Sequence, residues 1–182
     1  PASGDWFGQS VAVSGNTVVV GAYFDDAGAS DSGSAYLFNA TTGVLMATLA
    51  NPTPASGDWF GSSVAVSGDT VVVGAVFDDT GAIDSGSAYV FNATNGSLVV
   101  TLANPTPAAS DQFGSSVALS SDYMVVGAWF DDTGATDSGL LYVYDAKTGD
   151  LLRTIANPAL AASDWFGASV AVDGNTIVVG AY

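Results

Sequence analysis

The sequence predicts an all-β protein built from a repeated unit of four short antiparallel strands. Three observations lead to this prediction: a tetrapeptide returns every 53 residues, each repeat holds β-rich runs separated by turn residues, and no window of the chain has a helical period. The tetrapeptide is Asp-Trp-Phe-Gly at residues 5–8, 58–61 and 164–167, and Asp-Gln-Phe-Gly at residues 111–114. Self-similarity at a fixed period of this length indicates units that stack on one another.

Each repeat contains four β-rich runs, which in the first repeat lie at residues 9–14, 17–22, 34–38 and 44–49. Gly15-Asn16 separates the first two runs, as in a two-residue hairpin. Gly43 ends a five-residue turn, where a left-handed residue is expected. The unbroken valine run at residues 18–20 predicts a strand covered on both faces. The residues that we expect to pack between units are Phe7, Val11, Val13 and this valine run, with Tyr36 and Phe38 beside them.

Four antiparallel strands in a repeat of this size are typical of a β-propeller blade. The predicted units are residues 1–57, 58–110, 111–163 and a partial repeat at 164–182 with only the first two strands, which makes about three and a half blades. Propellers close with roughly 4–8 blades, so a single chain of this length does not close a ring. Two alternatives stay open: the chain is a segment of a longer protein with further repeats, or copies associate into a ring or fibre through unpaired blade edges.

The composition excludes several classes of function. The 182 residues include 18 acidic side chains, all of them aspartate, and only Lys147 and Arg153 as cations, for a net charge of −16. A nucleic-acid binder needs a basic surface, and so does a protein that binds anionic membranes. No apolar run approaches the length of a membrane-spanning helix, and the chain lacks His and Cys for a catalytic triad, a thiolate nucleophile or a Cys/His zinc site. With 48% apolar residues the chain is nevertheless able to form a core.

Thirteen of the 18 aspartates occupy four positions that recur from repeat to repeat. One opens the tetrapeptide, at Asp5, Asp58, Asp111 and Asp164. For this position we expect turn chemistry, because a short carboxylate accepts hydrogen bonds from nearby backbone N–H groups. A reaction centre normally breaks the symmetry of a repeat, so this recurrence favours architecture over catalysis, and we expect no enzymatic activity and no catalytic residue.

The other three positions place carboxylates in the loop between the second and third strands. Calcium takes six to eight oxygen ligands on flexible loops, and like charges this close repel unless they are solvated or neutralised. The loops are therefore candidate calcium sites, with solvated turn residues as the alternative. The candidate ligands are Asp25, Asp26, Asp31, Asp78, Asp79, Asp84, Asp131, Asp132 and Asp137.

Two surface features concern the turns. Asn39, Asn92 and Asn95 match the N-glycosylation acceptor pattern in the turn between the third and fourth strands, and turn chemistry alone also explains them. In the third repeat, Lys147 and Arg153 lie near Asp145 and Asp150, and we expect a surface group of ion pairs.

One position of the tetrapeptide is not constant. Gln112 stands where the other repeats have Trp, so we expect an aromatic side chain there to be partly exposed, either packed at the junction between blades or serving as a platform for a ligand or glycan.

The repeat resembles the FG-GAP repeat, on the strength of Phe-Gly-Ser-Ser-Val-Ala-Val at 60–66, Val-Val-Val-Gly-Ala at 71–75 and Gly-Ser-Ala-Tyr-Val-Phe at 86–91. The resemblance covers essentially the whole chain. It implies the propeller fold of integrin α subunits and of many secreted or surface proteins of bacteria and archaea. Integrin-type repeats often carry a calcium loop between their first two strands. Here that connection is only residues 14–17 or 67–70, so that calcium site is not carried over.

These observations lead to an expectation of a non-enzymatic, extracellular or cell-surface module with a structural or adhesive role. Two alternatives remain: a subunit that self-assembles into a filament or ring through its blade edges, and a calcium-dependent propeller that binds a protein or glycan ligand. The expected partners are further repeats of the same chain or other copies of it, with no nucleic acid and no insertion into a membrane.

Overall fold

The computed structural model describes residues 2–182, which fold into fourteen β-strands with no helix. No helix in this part of the chain therefore has the length and hydrophobicity needed to cross a membrane. The strands are β1 (Val11–Ser14), β2 (Thr17–Ala22), β3 (Ser34–Asn39), β4 (Leu45–Ala50), β5 (Phe60–Ser67), β6 (Thr70–Ala75), β7 (Ser87–Asn92), β8 (Leu98–Ala103), β9 (Phe113–Leu119), β10 (Tyr123–Ala128), β11 (Leu140–Asp145), β12 (Leu151–Ala156), β13 (Ser169–Asp173) and β14 (Thr176–Gly180).

The strands form three four-stranded antiparallel sheets and one two-stranded sheet, each in chain order. Sheet 1 holds β1–β4, sheet 2 holds β5–β8, sheet 3 holds β9–β12, and sheet 4 holds β13 and β14. The prediction of an all-β fold with about three and a half blades of four antiparallel strands is confirmed. The Pro-rich segments at 51–57, 104–110 and 157–163 connect one sheet to the next.

The turns within each sheet follow from glycines that adopt positive φ. Gly15 has a φ of 55° in the hairpin between β1 and β2, where Ser14 pairs with Thr17. Gly43 has a φ of 70° in the turn between β3 and β4, and its amide donates to the carbonyl of Asn39. Both turns were predicted at these glycines.

The core lies between consecutive sheets rather than within one of them. Val71 and Val73 of β6 pack towards sheet 1, whereas Val72 between them packs towards sheet 3. All three are fully buried, as expected for a strand that is covered on both faces. The cluster between sheets 1 and 2 includes Phe60, and the cluster between sheets 2 and 3 includes Phe113.

The packing predicted for the first repeat is partly wrong. Phe7, Val11 and Val13 are 45%, 64% and 68% exposed, whereas Phe60 at the position of Phe7 is fully buried and Val66 at the position of Val13 is only 8% exposed. The reason is that these side chains become buried only when another sheet lies before their own, and within residues 2–182 no sheet precedes sheet 1. Phe7 instead packs only on its own sheet, with its ring centroid 5.6 Å from that of Tyr36.

Candidate functional site

The aspartate that opens the second, third and fourth tetrapeptides holds the linker between two sheets through hydrogen bonds. Asp58 Oδ2 accepts hydrogen bonds from Asn51 Nδ2 and from the backbone N–H of Ala55, both at 2.7 Å. Asp111 Oδ2 repeats this arrangement with Asn104 at 2.8 Å and with the backbone N–H of Ala108 at 2.7 Å. Asp164 Oδ2 accepts from Asn157 Nδ2 at 2.7 Å and from the backbone N–H of Ala161 at 3.0 Å. These carboxylates have the turn role predicted for them.

Asp58 and Asp111 are almost completely buried, with 3% and 2% of their surface exposed. Burial raises the pKa of Asp58, while the hydrogen bonds from Ala55 and Asn51 oppose the rise. The same causes raise the pKa of Asp111, to which the charge of Asp131 adds. Each carboxyl group therefore binds a proton at a higher pH than an exposed aspartate does.

The first aspartate of each loop between the second and third strands bonds to a tyrosine of its own sheet. Tyr142 Oη donates to Asp131 Oδ2 at 3.0 Å, and Tyr89 and Tyr36 donate in the same way to Asp78 and Asp25. Asp78 and Asp131 are 3% and 1% exposed. The other oxygen of this carboxylate is occupied as well, since Asp131 Oδ1 accepts the backbone N–H of Thr133 at 2.8 Å.

The second aspartate of the loop binds the backbone of the third. Asp26 Oδ1 accepts the N–H of Asp31 at 2.9 Å, and the Asp79–Asp84 and Asp132–Asp137 pairs repeat this contact at 2.9 and 2.8 Å. The third aspartate has a left-handed backbone in all three loops, with φ values of 53°, 53° and 51°. Asp tolerates this conformation better than most residues because its short side chain bonds locally.

The backbone at the end of each loop accepts hydrogen bonds from the tetrapeptide of the next repeat, and these bonds join the two sheets. The carbonyl of Asp31 accepts the N–H of Trp59 at 3.3 Å, and the carbonyl of Ser32 accepts the N–H of Phe60 at 3.0 Å. The same pair of bonds joins Asp84 and Ser85 to Gln112 and Phe113, and Asp137 and Ser138 to Trp165 and Phe166. The aspartates therefore shape the junction between sheets, a role that becomes visible only when two repeats are considered together.

A second contact brings the backbones of neighbouring sheets together. Phe60 and Gly61 lie at an irregularity in the pairing of β5 with β6, and this irregularity frees the carbonyl of Gly61. Ser10 Oγ of sheet 1 donates to that carbonyl at 2.7 Å, and the Ser63–Gly114 and Ser116–Gly167 pairs do the same at 2.7 and 2.6 Å. Gly21 lies against the same carbonyl, so closely that a Cβ there would be 2.1 Å from the oxygen.

The nine predicted calcium ligands lie in three separate loops, three in each. Among residues 2–182, no group of three or more carboxylates has a geometry that could hold a metal ion. Within each loop the first carboxylate bonds through both oxygens and the second through one. Calcium binding by these loops stays a prediction.

The calcium hypothesis has a direct thermodynamic test. A ligand that binds only the folded state raises its stability with concentration, so millimolar calcium would raise the Tm of the chain and chelation would lower it. The measurement is thermal unfolding at low ionic strength with added calcium, with magnesium and with chelator. An identical Tm in all three solutions contradicts the hypothesis.

The buried tyrosines make the protein sensitive to alkali. Burial, followed by the bond to Asp25, raises the pKa of Tyr36 to about 12, and burial raises the pKa values of Tyr89, Tyr142 and Tyr144 further above their usual value of 10.0. Because the folded state favours the neutral phenol, these groups contribute stability below pH 10 that is lost as the pH rises through their folded-state pKa values.

We therefore expect the free energy of unfolding to fall steeply above pH 10, where unfolded tyrosines ionise and the buried ones do not. Urea unfolding at a series of pH values, followed together with phenolate absorbance, measures both effects. Phenolate formation that is complete while the fold is intact would contradict the assignment.

The ion pair observed in the third repeat involves an aspartate other than the predicted ones. Lys147 Nζ lies 2.9 Å from Asp122 Oδ1, in the turn between β9 and β10, rather than against Asp145 or Asp150. Asp145 is occupied by the backbone N–H groups of Lys147 and Thr148. This pair is exposed and needs no functional role.

The three candidate glycosylation residues lie in the predicted turn. Asn39 and Asn92 are half-buried, and their side-chain oxygens accept backbone N–H groups of the turn. Asn95 is exposed. Attachment of a glycan at any of them stays a prediction, with Asn95 the most accessible.

The tryptophans of the tetrapeptide form aromatic clusters at the junction of sheets 1 and 2 and at the junction of sheets 3 and 4. Trp59 has a φ of 56°, and its ring centroid lies 5.2 Å from that of Tyr23, 5.0 Å from that of Phe24 and 4.5 Å from that of Phe77. Trp59 is half-buried and packs at the junction between blades, whereas its use as a platform for a ligand or glycan stays a prediction.

Comparison with known proteins agrees with this architecture. The solved structures include a similar one, the crystal structure of the computationally designed Ika8 protein, with a TM-score of 0.57 and 22% sequence identity over 95% of this chain and 42% of that one. At this identity the similarity shows the fold alone, and the chain spans less than half the length of that protein. A comparison with curated protein sequences finds no match.

The sequence model described as the FG-GAP repeat matches four times, at residues 1–38, 44–91, 97–144 and 155–182. Each match contains the Phe-Gly pair that follows the junction aspartate. The chain therefore belongs to the FG-GAP repeat family.

Proposed function

We propose that this chain is a non-enzymatic structural or adhesive module that acts outside the cell or on its surface. The observation that carries the proposal is that the recurring carboxylates are used to build the junctions between sheets. Asp111, for example, is 2% exposed and bonds to Asn104 and to the backbone of Ala108. A carboxylate held in this way lacks the access to substrate that acid or base catalysis requires.

The family assignment supports the same proposal, since FG-GAP repeats are typically found in extracellular or surface domains. The net charge of −16 keeps the surface solvated, and the repulsion between like-charged molecules opposes nonspecific association. A fold hosts many functions, so the support comes from the use of these particular side chains rather than from the architecture.

Self-assembly is a second candidate function, and the first sheet provides the observation that favours it. Sheet 1 exposes the face that sheets 2 and 3 bury, as the 45% exposure of Phe7 against the complete burial of Phe60 and Phe113 shows. Trp6 and Val13 on the same side are 54% and 68% exposed. Exposed apolar side chains on a face that packs elsewhere in the same molecule suit stacking against another blade, of this chain or of a second copy.

Sedimentation and light scattering over a range of protein concentrations test this candidate. We expect the mass to rise with concentration, and the Phe7→Ser and Val13→Ser variants to shift the chain towards the monomer. Ile83→Ser is the matched control, because Ile83 is 69% exposed but lies in the loop between β6 and β7 of sheet 2. A monodisperse monomer at all concentrations contradicts self-assembly and leaves the structural module proposal in place.

A panel of glycoside, peptide and ester substrates tests the non-enzymatic proposal. We expect no turnover above that of the heat-denatured chain. Turnover that is lost in Asp111→Asn, a substitution that preserves the acceptor oxygen, would contradict the proposal.

A further inference from the structure

A cavity of about 250 Å³ opens where sheets 1, 2 and 3 meet, at the end where the first strands begin and the second strands finish. Tyr23, Trp59, Phe77 and Trp129 provide aromatic walls. Val76 and Gln112 also line the cavity. No lining residue is charged.

The cavity exists because the repeat is broken at one junction. The residue directly after the second strand is Tyr23, Val76 and Trp129 in sheets 1 to 3, and Tyr182 occupies the equivalent position of the last repeat. The second residue of the tetrapeptide is Trp6, Trp59, Gln112 and Trp165. At the junction of sheets 1 and 2 an aromatic pair fills the space, with the Tyr23 and Trp59 centroids 5.2 Å apart. At the junction of sheets 3 and 4, Trp129 and Trp165 fill it at 5.9 Å. Only between sheets 2 and 3 are both rings replaced, by Val76 and Gln112.

The replacement leaves a gap between the aromatic clusters of the two neighbouring junctions. Gln112 is 8% exposed, and its Oε1 accepts the indole N–H of Trp129 at 2.5 Å, which fixes the orientation of that ring. The amide nitrogen of Gln112 makes no hydrogen bond to any atom of residues 2–182. A departure from repeat symmetry that opens an apolar space beside a held tryptophan is what a binding site needs, whereas packing alone would favour the rings found at the other junctions.

Charge determines which ligand suits these walls. An anion would find no basic residue in the lining, and the chain has a net charge of −16. The buried Asp58 and Asp111 directly precede Trp59 and Gln112, so the surrounding field is negative. The faces of aromatic rings attract cations, and weakly hydrated quaternary ammonium groups are recognised by such walls. We propose that the cavity binds an organic cation of the quaternary ammonium class.

Choline is the probe. The control compound is 3,3-dimethylbutan-1-ol, which has the same shape but a carbon atom in place of the charged nitrogen. Titrations followed by tryptophan fluorescence and calorimetry are expected to show saturable binding of choline and at least tenfold weaker binding of the alcohol, which corresponds to about 1.4 kcal/mol. Affinity for choline is expected to fall as ionic strength rises. Equal binding of the alcohol, or binding of a neutral sugar such as glucose but not of choline, overturns the proposal.

A double variant that copies the aromatic pair of the first junction is expected to close the cavity. Val76→Tyr with Gln112→Trp installs the residues of the first junction, so it is expected to fold and to lose choline binding. Trp6→Phe alters a tryptophan that is 54% exposed and outside the cavity, and is expected to bind as the parent does. If circular dichroism shows that the double variant does not fold, Trp129→Leu provides the second test, with an expected loss of at least fivefold in affinity. Undiminished binding in a folded variant of either kind refutes the proposal.

Discussion

The Gly74→Ala variant is expected to lose about 3 kcal/mol of unfolding free energy, or more, because sheets 2 and 3 leave no room for a methyl group there. A Cβ on Gly74 would lie 2.1 Å from the carbonyl oxygen of Gly114 and 2.4 Å from Ser63 Oγ. Ser63 has no easy escape, because its hydroxyl donates to that same carbonyl at 2.7 Å. The two sheets would have to separate locally, which would disturb the burial of Phe113 as well. Urea unfolding measures the loss.

Gly180→Ala is the matched control for this prediction. Gly180 occupies the same position in the last repeat, where the atoms near an added Cβ belong only to Ser169 of the same sheet, the closest being its hydroxyl at 2.3 Å. That hydroxyl makes no hydrogen bond to any atom of residues 2–182 and is free to rotate away, so we expect a change of at most about 1 kcal/mol. Equal losses in the two variants would mean that contact between sheets is not the cause.

The Asp111→Ala variant is expected to lose about 3 kcal/mol, because it leaves the buried amide of Asn104 and the partly buried N–H of Ala108 without their acceptor. Asn104 Nδ2 and the backbone N–H of Ala108 both donate to the same oxygen of Asp111, at 2.8 and 2.7 Å. The physical cost is that of burying these donors unpaired, since the side chain of Asp111 is almost inaccessible to water.

Asp111→Asn separates hydrogen bonding from charge. The amide oxygen of asparagine can accept both bonds, and burial already raises the pKa of Asp111, so we expect this variant to retain most of the stability of the parent. Asp150→Ala serves as the surface control, because Asp150 is exposed and its carboxylate accepts no hydrogen bond within residues 2–182, and its change is expected to stay within about 0.5 kcal/mol. Losses as large in Asp111→Asn as in Asp111→Ala would show that the charge matters, as it would for an ion ligand.

The strands and turns could be predicted from the sequence because they depend on local chemistry repeated three times. Gly15 and Gly43 mark turns whose backbone requires a positive φ, and the valine run marks a strand buried on both faces. The period of 53 residues made each inference stronger, since the same signals recur in register.

The tyrosine partners of the first loop aspartates and the contacts between sheets could not be predicted, because these partners lie on strands distant in sequence. The bond from Tyr142 to Asp131 joins residues 11 positions apart, and the bond between Ser63 and Gly114 joins residues 51 positions apart on different sheets. Lys147 pairs with Asp122 because two turns of sheet 3 lie side by side, as the bond from the Ala146 N–H to the Asp122 carbonyl shows. Residues close in sequence gave the wrong partner for this reason.

The cavity was only half visible in the sequence. Gln112 departs from the repeated tryptophan and is recognisable in the sequence, whereas the role of Val76 follows only from the fold, in which the two positions meet across a junction. A comparison of the two positions across all repeats, made as pairs, would have identified the one junction that lacks both rings.

Hydrogen exchange in the native state tests most directly whether each loop holds the tetrapeptide of the next repeat. The amides of Phe60, Phe113 and Phe166 donate to the carbonyls of Ser32, Ser85 and Ser138, whereas the equivalent amide of Phe7 has no acceptor within residues 2–182. We predict that the three bonded amides exchange at least about a hundredfold more slowly than that of Phe7. Exchange of the Phe60 and Phe113 amides as fast as that of Phe7 would contradict the junctions described for this protein.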